Sequence, residues 1–379
     1  MTDERGELFS MLLRLHPVEV GQVAVGAGNQ VQAAFLDMVR QGDAALAEWL
    51  HVPNQRRPYT LGLLQGFNHL SAEQVAEART KQQMVQVKPG ETYWLRITML
   101  DANVFGSFTR YLLAKPRELT VRIGNARFEI SRLLSTPEPH ATSQSWVAYS
   151  SFADLHDLRA AQREYSFEFA TPTAFSMGQK AWGKLLKVFP EPAYVFESLA
   201  RQWEVFAPAH LRMGASGLTP RALATWCEEQ VVVARYSLAT SYLPSSKFGQ
   251  AGFQGDITYE VKGMPTAPEA LWLSSLARFA LFSGVGYKTT MGMGQTRCTY
   301  GGVMGQQGGD GRDKSGRYAM NGVKAGRNEL SGYAMNGGET GRDELGDYAM
   351  NGGETKGDES VPYEGATPQE GKSSGEVEI

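Results

Sequence analysis

The chain has 379 residues, of which 42% are hydrophobic and 20% charged, and its formal net charge is -3. This composition predicts a soluble globular protein of about two domains, and no stretch approaches the ~18 consecutive apolar residues of a membrane span. Cys227 and Cys298 are too few for a disulfide framework and lack metal-site spacing, and the charged N-terminus lacks a signal-peptide core. We therefore expect a cytoplasmic protein that uses no cofactor.

The first half of the chain predicts alternating strands and helices. Leu8 to Leu15 is a short apolar run that predicts a strand. Apolar residues then recur at helical spacing from Asn29 to Leu50, with a break at Gly42-Asp43. Strand, strand, helix, strand and strand follow at Pro58 to Phe67, Thr92 to Leu100, Asn103 to Leu113, Leu119 to Ile123 and Ala126 to Leu133. This β-α-β-β-α-β order is typical of a ferredoxin-like unit.

The second half, from about Pro139, predicts a similar set of elements. Thr219 is a suitable N-cap for a helix that has Pro220 at its first position. The predicted strands are Tyr165 to Ala170, Val231 to Tyr242, Phe253 to Val261 and Gln295 to Gly302, and the predicted helices are Ala193 to Phe206, Thr219 to Glu229 and Pro268 to Phe282. We predict an α+β fold of two tandem ferredoxin-like (RRM-like) domains, residues 1–138 and 139–303.

The last 76 residues, 304–379, predict a disordered C-terminal tail. A Tyr-Ala-Met-Asn-Gly motif begins at Tyr318, Tyr333 and Tyr348, a period of 15 residues that has too few apolar side chains to stack as a solenoid. This tail holds 14 acidic and 8 basic residues, which leaves 26 acidic and 29 basic residues in the rest of the chain. A mildly basic body with an acidic tail permits RNA binding without requiring it.

A glycine-rich segment lies between the last predicted helix and the last predicted strand. Glycines let the backbone approach a phosphodiester closely, and the lysine and hydroxyl groups among them can donate to its oxygens. The order of elements is the reverse of that around a Walker loop or a dinucleotide fingerprint. We interpret the segment as RNA-binding, with a turn that merely packs tightly as the alternative. The residues assigned to RNA are Gly284, Gly286, Tyr287, Lys288, Thr289, Thr290, Gly292 and Gly294.

A second cluster begins where the Asn29 to Leu50 helical pattern ends, at His51, with Arg56, Arg57 and Tyr59 following. Cutting RNA through its own 2'-hydroxyl needs a proton removed from that hydroxyl, a proton given to the 5'-oxygen, and positive charge beside the phosphorane. Histidine suits proton transfer near neutral pH, and arginine offers fixed donors to phosphate oxygens. Arg56 is assigned to RNA binding on this ground. The alternative is a histidine that only stabilises a helix C-terminus.

No metal-binding motif is visible in the sequence. It contains no His-Glu-x-x-His, no cysteine pair at zinc spacing and, in the body, no acidic calcium loop. We therefore expect a site without a metal.

Together, the two clusters resemble the CRISPR-associated repeat-cleaving endoribonuclease family. Gly284 to Gly294 looks like its glycine-rich signature, and Ala47 to His51 with Arg57 to Thr60 is similar to its catalytic-histidine region. Phe167 to Phe175 and Phe196 to Trp203 also look like family segments. The resemblance thus spans nearly all of the chain up to the tail.

The resemblance implies binding of a CRISPR repeat RNA or guide RNA and metal-independent cutting within the repeat. The products would carry a 5'-hydroxyl and a 2',3'-cyclic phosphate or 3'-phosphate. Subunits of a CRISPR effector complex and a homodimer partner are left open, and no membrane is implied.

The resemblance also implies roles for individual residues. His51 matches the catalytic histidine, and Arg57 takes the place of a lysine that supports the scissile phosphate in some members. Some members use a tyrosine on the preceding helix, where this chain has Phe35 and Leu36. Tyr59 is the nearby substitute, and a plain strand aromatic is the alternative for that position.

Two further functions remain open at this point. One is a non-catalytic RNA-binding scaffold of an effector complex, which the histidine beside two arginines disfavours. The other is a regulatory protein that binds a small molecule on the same fold. The lysine and threonines of the glycine-rich segment count against it.

Overall fold

The computed structural model describes residues 5–52, 55–114, 119–135, 146–159, 161–243 and 249–299. All of them lie within one unit, Met1–Ala325. The domain boundary predicted at residues 138 and 139 and the predicted tail, residues 304–379, lie outside the described residues.

The first half forms an antiparallel sheet with helices packed on it. Its elements are β1 Glu7–Pro17, β2 Gly21–Ala24, α1 Gly28–Gly42, α2 Ala44–His51, β3 Tyr59–Leu61, α3 Ala72–Thr80, β4 Met84–Val87, β5 Tyr93–Met99, α4 Ala102–Ala114, β6 Thr120–Ile123, β7 Ala126–Leu134 and β8 Ala148–Ser151. The sheet order is β3-β5-β1-β7-β6, and β8 also pairs with β1. With β1, α1–α2, β3, β5, α4 and β7 as the six units, this is the strand order of a ferredoxin-like fold.

The second half repeats this plan. Its elements are α5 Phe152–Leu155, β9 Glu164–Thr173, β10 Phe175–Lys180, β11 Gly183–Lys187, α6 Pro192–Phe206, α7 Pro220–Gln230, β12 Val231–Leu243, β13 Gln250–Val261, α8 Pro268–Ser283 and β14 Thr296–Thr299. The sheet order β12-β13-β9-β14 is again the ferredoxin-like order, with α6 and α8 as the two crossover helices. The predicted β-α-β-β-α-β arrangement is therefore confirmed in both halves.

Local sequence explains where the site-bearing helices begin and end. The predicted break at Gly42-Asp43 separates α1 from α2, because the Asp43 carboxylate caps α2 by accepting from the backbone N–H of Leu46 at 3.0 Å. Thr219 caps α7 in the same way through Ala222. Leu50 is fully buried and anchors the last turn of α2, which leaves His51 at its exposed end.

One predicted strand needs correction, and one hairpin was not predicted. The strand predicted from Pro58 to Phe67 is regular only at Tyr59–Leu61, with one further bridge from Gln65 to Trp94. Gly66 has a φ of +109°, a conformation that breaks the extended backbone. The hairpin of β10 and β11 was not predicted, because both strands are largely exposed and carry no buried stripe.

Candidate functional site

The loop that follows α2 is folded back onto that helix. Arg57 donates from Nε to the backbone carbonyl of Leu50 at 2.7 Å, so part of its guanidinium is used to close the loop. His51 is exposed, and within the described part of the chain its imidazole makes no hydrogen bond or ion pair. The arrangement presents His51 to solvent beside a half-buried arginine.

Arg56 brings charge from the first half toward the second. The side chain is solvent-accessible, yet partial desolvation and, second, the nearby charge of Arg201 on α6 lower the pKa of its guanidinium. Arg201 also bonds Glu197 one turn earlier, with 2.7 Å between Nη2 and the carboxylate oxygen. Two neighbouring guanidinium groups create a place where a phosphate would relieve their mutual repulsion.

Tyr59 lies in the core of the first half. It has no exposed surface, its ring packs on Phe35 with 4.6 Å between centroids, and its hydroxyl accepts from Gln32 at 3.1 Å. Burial raises the pKa of Tyr59, which opposes loss of its proton. Tyr59, which was predicted to be catalytic, is therefore not accessible to an RNA in this arrangement. Its burial supports the alternative, a strand aromatic that packs in the core.

The glycines of the glycine-rich segment, Gly284–Gly294, are needed for close packing. A Cβ atom at Gly292 would lie 2.2 Å from Leu63, and one at Gly294 would lie 2.1 Å from the carbonyl oxygen of Val285. Gly284, Gly286, Gly292 and Gly294 all have positive φ. For these glycines the structure supports the alternative of a tightly packed turn, and Thr289 is buried with them.

The part of the segment that faces solvent is cationic. Tyr287, Lys288 and Thr290 are half-buried. The Tyr287 hydroxyl accepts from Lys184 of β11 at 2.9 Å, and the ammonium groups of Lys184 and Lys288 lie 4.4 and 5.5 Å from the tyrosine ring centroid. The two ammonium groups can hold a phosphate, and the aromatic ring between them can contact a base. Sequence reasoning missed Lys184, because the strand pairing and packing that bring it to Tyr287 join residues 103 positions apart.

One glutamine joins the two clusters. Gln32 on α1 is buried and donates from Nε2 both to the Tyr59 hydroxyl and, at 3.0 Å, to the hydroxyl of Thr290. The start of α1 touches the same place, since a Cβ at Gly28 would lie 1.8 Å from the carbonyl oxygen of Met291. The half that carries His51 is thus in direct contact with the glycine-rich segment.

Within the described ranges, no group of three or more His, Cys, Asp or Glu side chains is placed to hold a metal ion. None of the described helices has the length and hydropathy needed to cross a membrane.

The two strand orders define a tandem ferredoxin-like protein. Its glycine-rich segment contacts the first half, and cationic clusters are exposed on its surface. Among solved structures, a Cas6 product complex matches with a TM-score of 0.61 at 24% identity, over 78% of this chain and all of that chain. Cas6 of Thermus thermophilus matches with a TM-score of 0.54 at 23% identity, over 77% of this chain and 98% of that chain. These matches establish the shared fold.

Sequence comparisons give the family. A family model for the Cas6 N-terminal domain matches residues 8–157, and a model for the CRISPR-associated endoribonuclease Cas6 matches residues 167–296. The chain is also 30% identical over 148 residues to a CRISPR-associated endoribonuclease Cas6 of Mycobacterium tuberculosis, which covers 39% of this chain and 43% of that protein. The chain therefore spans less than half the length of that curated relative. It belongs to the Cas6 family, as the resemblance predicted.

Proposed function

We propose that this protein is an endoribonuclease that cuts CRISPR precursor RNA within its repeats, without a metal, by attack of a 2'-hydroxyl. The observation that carries the proposal is the exposed imidazole of His51 beside a loop whose Arg56 lies near Arg201 of the other half. The names of the curated relatives, CRISPR-associated endoribonucleases, support the same activity.

The reaction requires two proton movements at one phosphodiester. The 2'-oxygen attacks the adjacent phosphorus as its proton leaves, the bond to the 5'-oxygen breaks, and that oxygen takes up a proton. The products are a 2',3'-cyclic phosphate (or, after hydrolysis, a 3'-phosphate) and a 5'-hydroxyl. His51 serves one of these transfers, and Arg57 supplies positive charge to the phosphorane through guanidinium donors not used on Leu50.

Binding is assigned to the cationic groups around the reacting loop. Arg56 and Arg201 hold one phosphate between the halves, while Tyr287, Lys288 and Lys184 hold the RNA at the exposed part of the glycine-rich segment. Thr290 contributes a hydroxyl there, and the glycines contribute close packing.

The test is cleavage of the repeat RNA in EDTA by the wild-type protein and by His51→Ala. We expect site-specific cutting by the wild type and a rate lower by roughly 10²–10⁴-fold in the variant, the usual contribution of one acid-base group. His69→Ala is the matched control, because His69 is also exposed and lies beside Glu91, with 3.5 Å between its Nδ1 and the carboxylate oxygen. An RNA with a single 2'-deoxy sugar at the cut site should resist cleavage, and efficient cutting of it would exclude 2'-hydroxyl attack.

A non-catalytic RNA scaffold is the second candidate. It is favoured by the burial of Tyr59, because the side chain predicted for the second proton transfer is not exposed to an RNA. Binding of the repeat RNA by the wild type, with no cutting in EDTA or in Mg²⁺, would select the scaffold.

The proposal requires CRISPR repeat RNA as the partner. It also requires that the protein is located where the transcript is, in the cytoplasm. Effector-complex subunits and a second copy of the chain remain open as further partners. We also retain, as predictions, the domain boundaries 1–138 and 139–303 and the disordered tail at 304–379.

A further inference from the structure

A buried arginine of the first half reaches into the second half. Arg96 on β5 is only 6% exposed, and among the described residues no carboxylate lies within ion-pair distance of its guanidinium. Burial, and second the charge of Arg297, lower its pKa to about 9. A buried cation without a counter-ion is costly, so the groups that solvate it indicate what it holds.

Those groups belong to four residues, two in each half. Within the first half, Arg96 donates to the Ser10 hydroxyl at 2.9 Å and to the carbonyl oxygen of Trp146 at 3.3 Å, and it lies 4.9 Å from the Trp146 ring centroid. In the second half it donates to the side-chain oxygen of Gln295 and to the carbonyl oxygen of Leu281. One planar guanidinium thus ties both halves together.

The two partners in the second half flank the glycine-rich segment. Leu281 lies just before Gly284 and Gln295 lies just after Gly294, so Arg96 holds both ends of the segment at once. The neighbouring Thr98 strengthens the first attachment, because its hydroxyl donates to the carbonyl oxygen of Phe282 at 2.6 Å.

Gln295 carries the connection on to β3. Its Nε2 donates to the Thr60 hydroxyl at 3.3 Å and to the carbonyl oxygen of Leu61 at 3.1 Å. Strand β3 begins two residues after Arg57, which lies near the end of the loop that follows α2 and His51. Hydrogen bonds from Gln295, the residue after the glycine-rich segment, therefore reach the strand that follows this loop.

We propose that Arg96 is a positioning residue that fixes the glycine-rich segment, and with it Lys288, relative to His51 and the loop that follows it. This inference rests on the proposed function, since it assigns RNA binding to the segment and chemistry to the loop. Arginine is required because its fork reaches Gln295 and Leu281 together, whereas a lysine ammonium is a single point of donation.

The first measurement is single-turnover cleavage of repeat RNA by Arg96→Lys and Arg96→Met. We expect the rate at saturating protein to fall by about 10- to 100-fold, because a misplacement of about 1 Å can cost that much. RNA affinity should change far less, since Lys288 and Lys184 keep their charges. Arg14→Lys and Arg14→Met are the matched controls, because Arg14 on β1 also lies over a tryptophan, Trp94, at 5.9 Å. They should cut at the wild-type rate.

The second measurement reports the position of the halves without any cleavage. Spin labels at Trp49→Cys on α2 and Val205→Cys on α6 use two side chains that are each 47% exposed, while the native cysteines are buried. We expect the distance distribution to broaden in Arg96→Met and to stay narrow in Arg14→Met.

The outcomes are distinguishable. Slower cutting with a broadened distribution supports the inference. The inference is overturned if Arg96→Met has an unchanged distance distribution and cuts at the wild-type rate at temperatures well below its melting temperature. This holds even if the variant melts at a lower temperature than the wild type. If the wild type cuts no RNA, the proposed function fails, and the spin-label distances alone decide whether Arg96 positions the segment.

Discussion

Lys288 combines a backbone conformation that lysine disfavours with a charge at the solvent-facing part of the segment. Its φ of +57° lies in the left-handed region, which costs a side-chain-bearing residue roughly 1–2 kcal/mol. Lys288→Gly should therefore leave the melting temperature unchanged or slightly higher while weakening RNA binding. The slope of log affinity against log salt concentration should shrink by about one unit, as for one lost phosphate contact.

Lys81→Ala is the control for this prediction, because Lys81 bonds Glu77 on the exposed face of α3. It should alter neither the affinity nor the salt slope. Equal RNA affinity of Lys288→Gly and the wild type at low salt would remove Lys288 from the binding site.

His156 gives the fold a predictable response to acid. Burial, and second the charge of His210, lower its pKa, and Asp157 opposes them weakly; the ring packs on Trp272 with 5.0 Å between centroids. The unfolded chain therefore binds the proton more readily than the folded one at pH below about 6.5, so stability decreases as pH falls through that range. His156→Phe should show a smaller loss of melting temperature between pH 7.5 and 5.5 than the wild type.

His210→Asn should reduce the same pH dependence only in part, because it removes the secondary cause of the shift. A wild-type melting temperature with identical pH dependence to His156→Phe would show that His156 does not carry the effect.

Single residues also show how far the sequence could be interpreted. The helix end at His51 was predictable because a capped helix and an apolar stripe precede it. The burial of Tyr59 was not, because Tyr59, Thr60 and Leu61 are all buried and β3 lacks the alternation that marks an exposed face. The proximity of Arg201 to Arg56 and of Lys184 to Tyr287 depends on tertiary packing, which no local pattern records.

At the scale of elements, the close contact between α1 and the glycine-rich segment makes a sharp prediction. Gly28→Ala would place a methyl group 1.8 Å from the carbonyl oxygen of Met291, so the segment must move. We expect a loss of stability of about 1–3 kcal/mol, the usual cost of overpacking, together with weaker RNA binding. Chemical denaturation and RNA titration measure the two effects.

Gly106→Ala is the matched control, because Gly106 lies inside α4 with open space around it. Alanine there should stabilise the protein by about 0.5–1 kcal/mol through helix propensity. If Gly28→Ala were as stable as Gly106→Ala, the helix and the segment would not be in the contact described.

The long elements were predictable because each buries one face and repeats with a clear period. The helix that sequence reasoning missed in the first half, α3, is short and polar, yet it did carry a signal. Ser71 and Gln74 form a capping box, with the Ser71 hydroxyl accepting from the Gln74 backbone at 3.2 Å. The β10–β11 hairpin had no such signal and is defined by its pairing alone.

At the scale of the whole molecule, both halves reach the same strand order because the connections allow few alternatives. In each half, two crossover connections that contain helices place the first and third strands of the six-unit order side by side at the centre of the sheet. Element order therefore predicted the topology of each half. It did not predict how the halves meet, because polar side chains take part in that contact, among them Arg96, Gln295 and Gln32, which a hydrophobic pattern places on the surface.

The uneven charge of the chain leads to a prediction about the whole protein. Residues 304–379 hold 14 acidic and 8 basic residues, so removing them changes the formal net charge from -3 to +3. An RNA polyanion approaching the truncated protein meets less repulsion, and screening by salt weakens long-range repulsion beyond about 10 Å at 0.1 M. The truncated chain should bind repeat RNA several-fold more tightly at low salt and equally at high salt.

A full-length chain whose tail is replaced by a neutral Gly/Ser sequence of equal length should behave like the truncated chain, since charge rather than length is removed. Identical affinities of all three proteins at low salt would mean that the tail's charge does not act on the bound RNA, and a tighter full-length complex would mean that the tail itself contacts it.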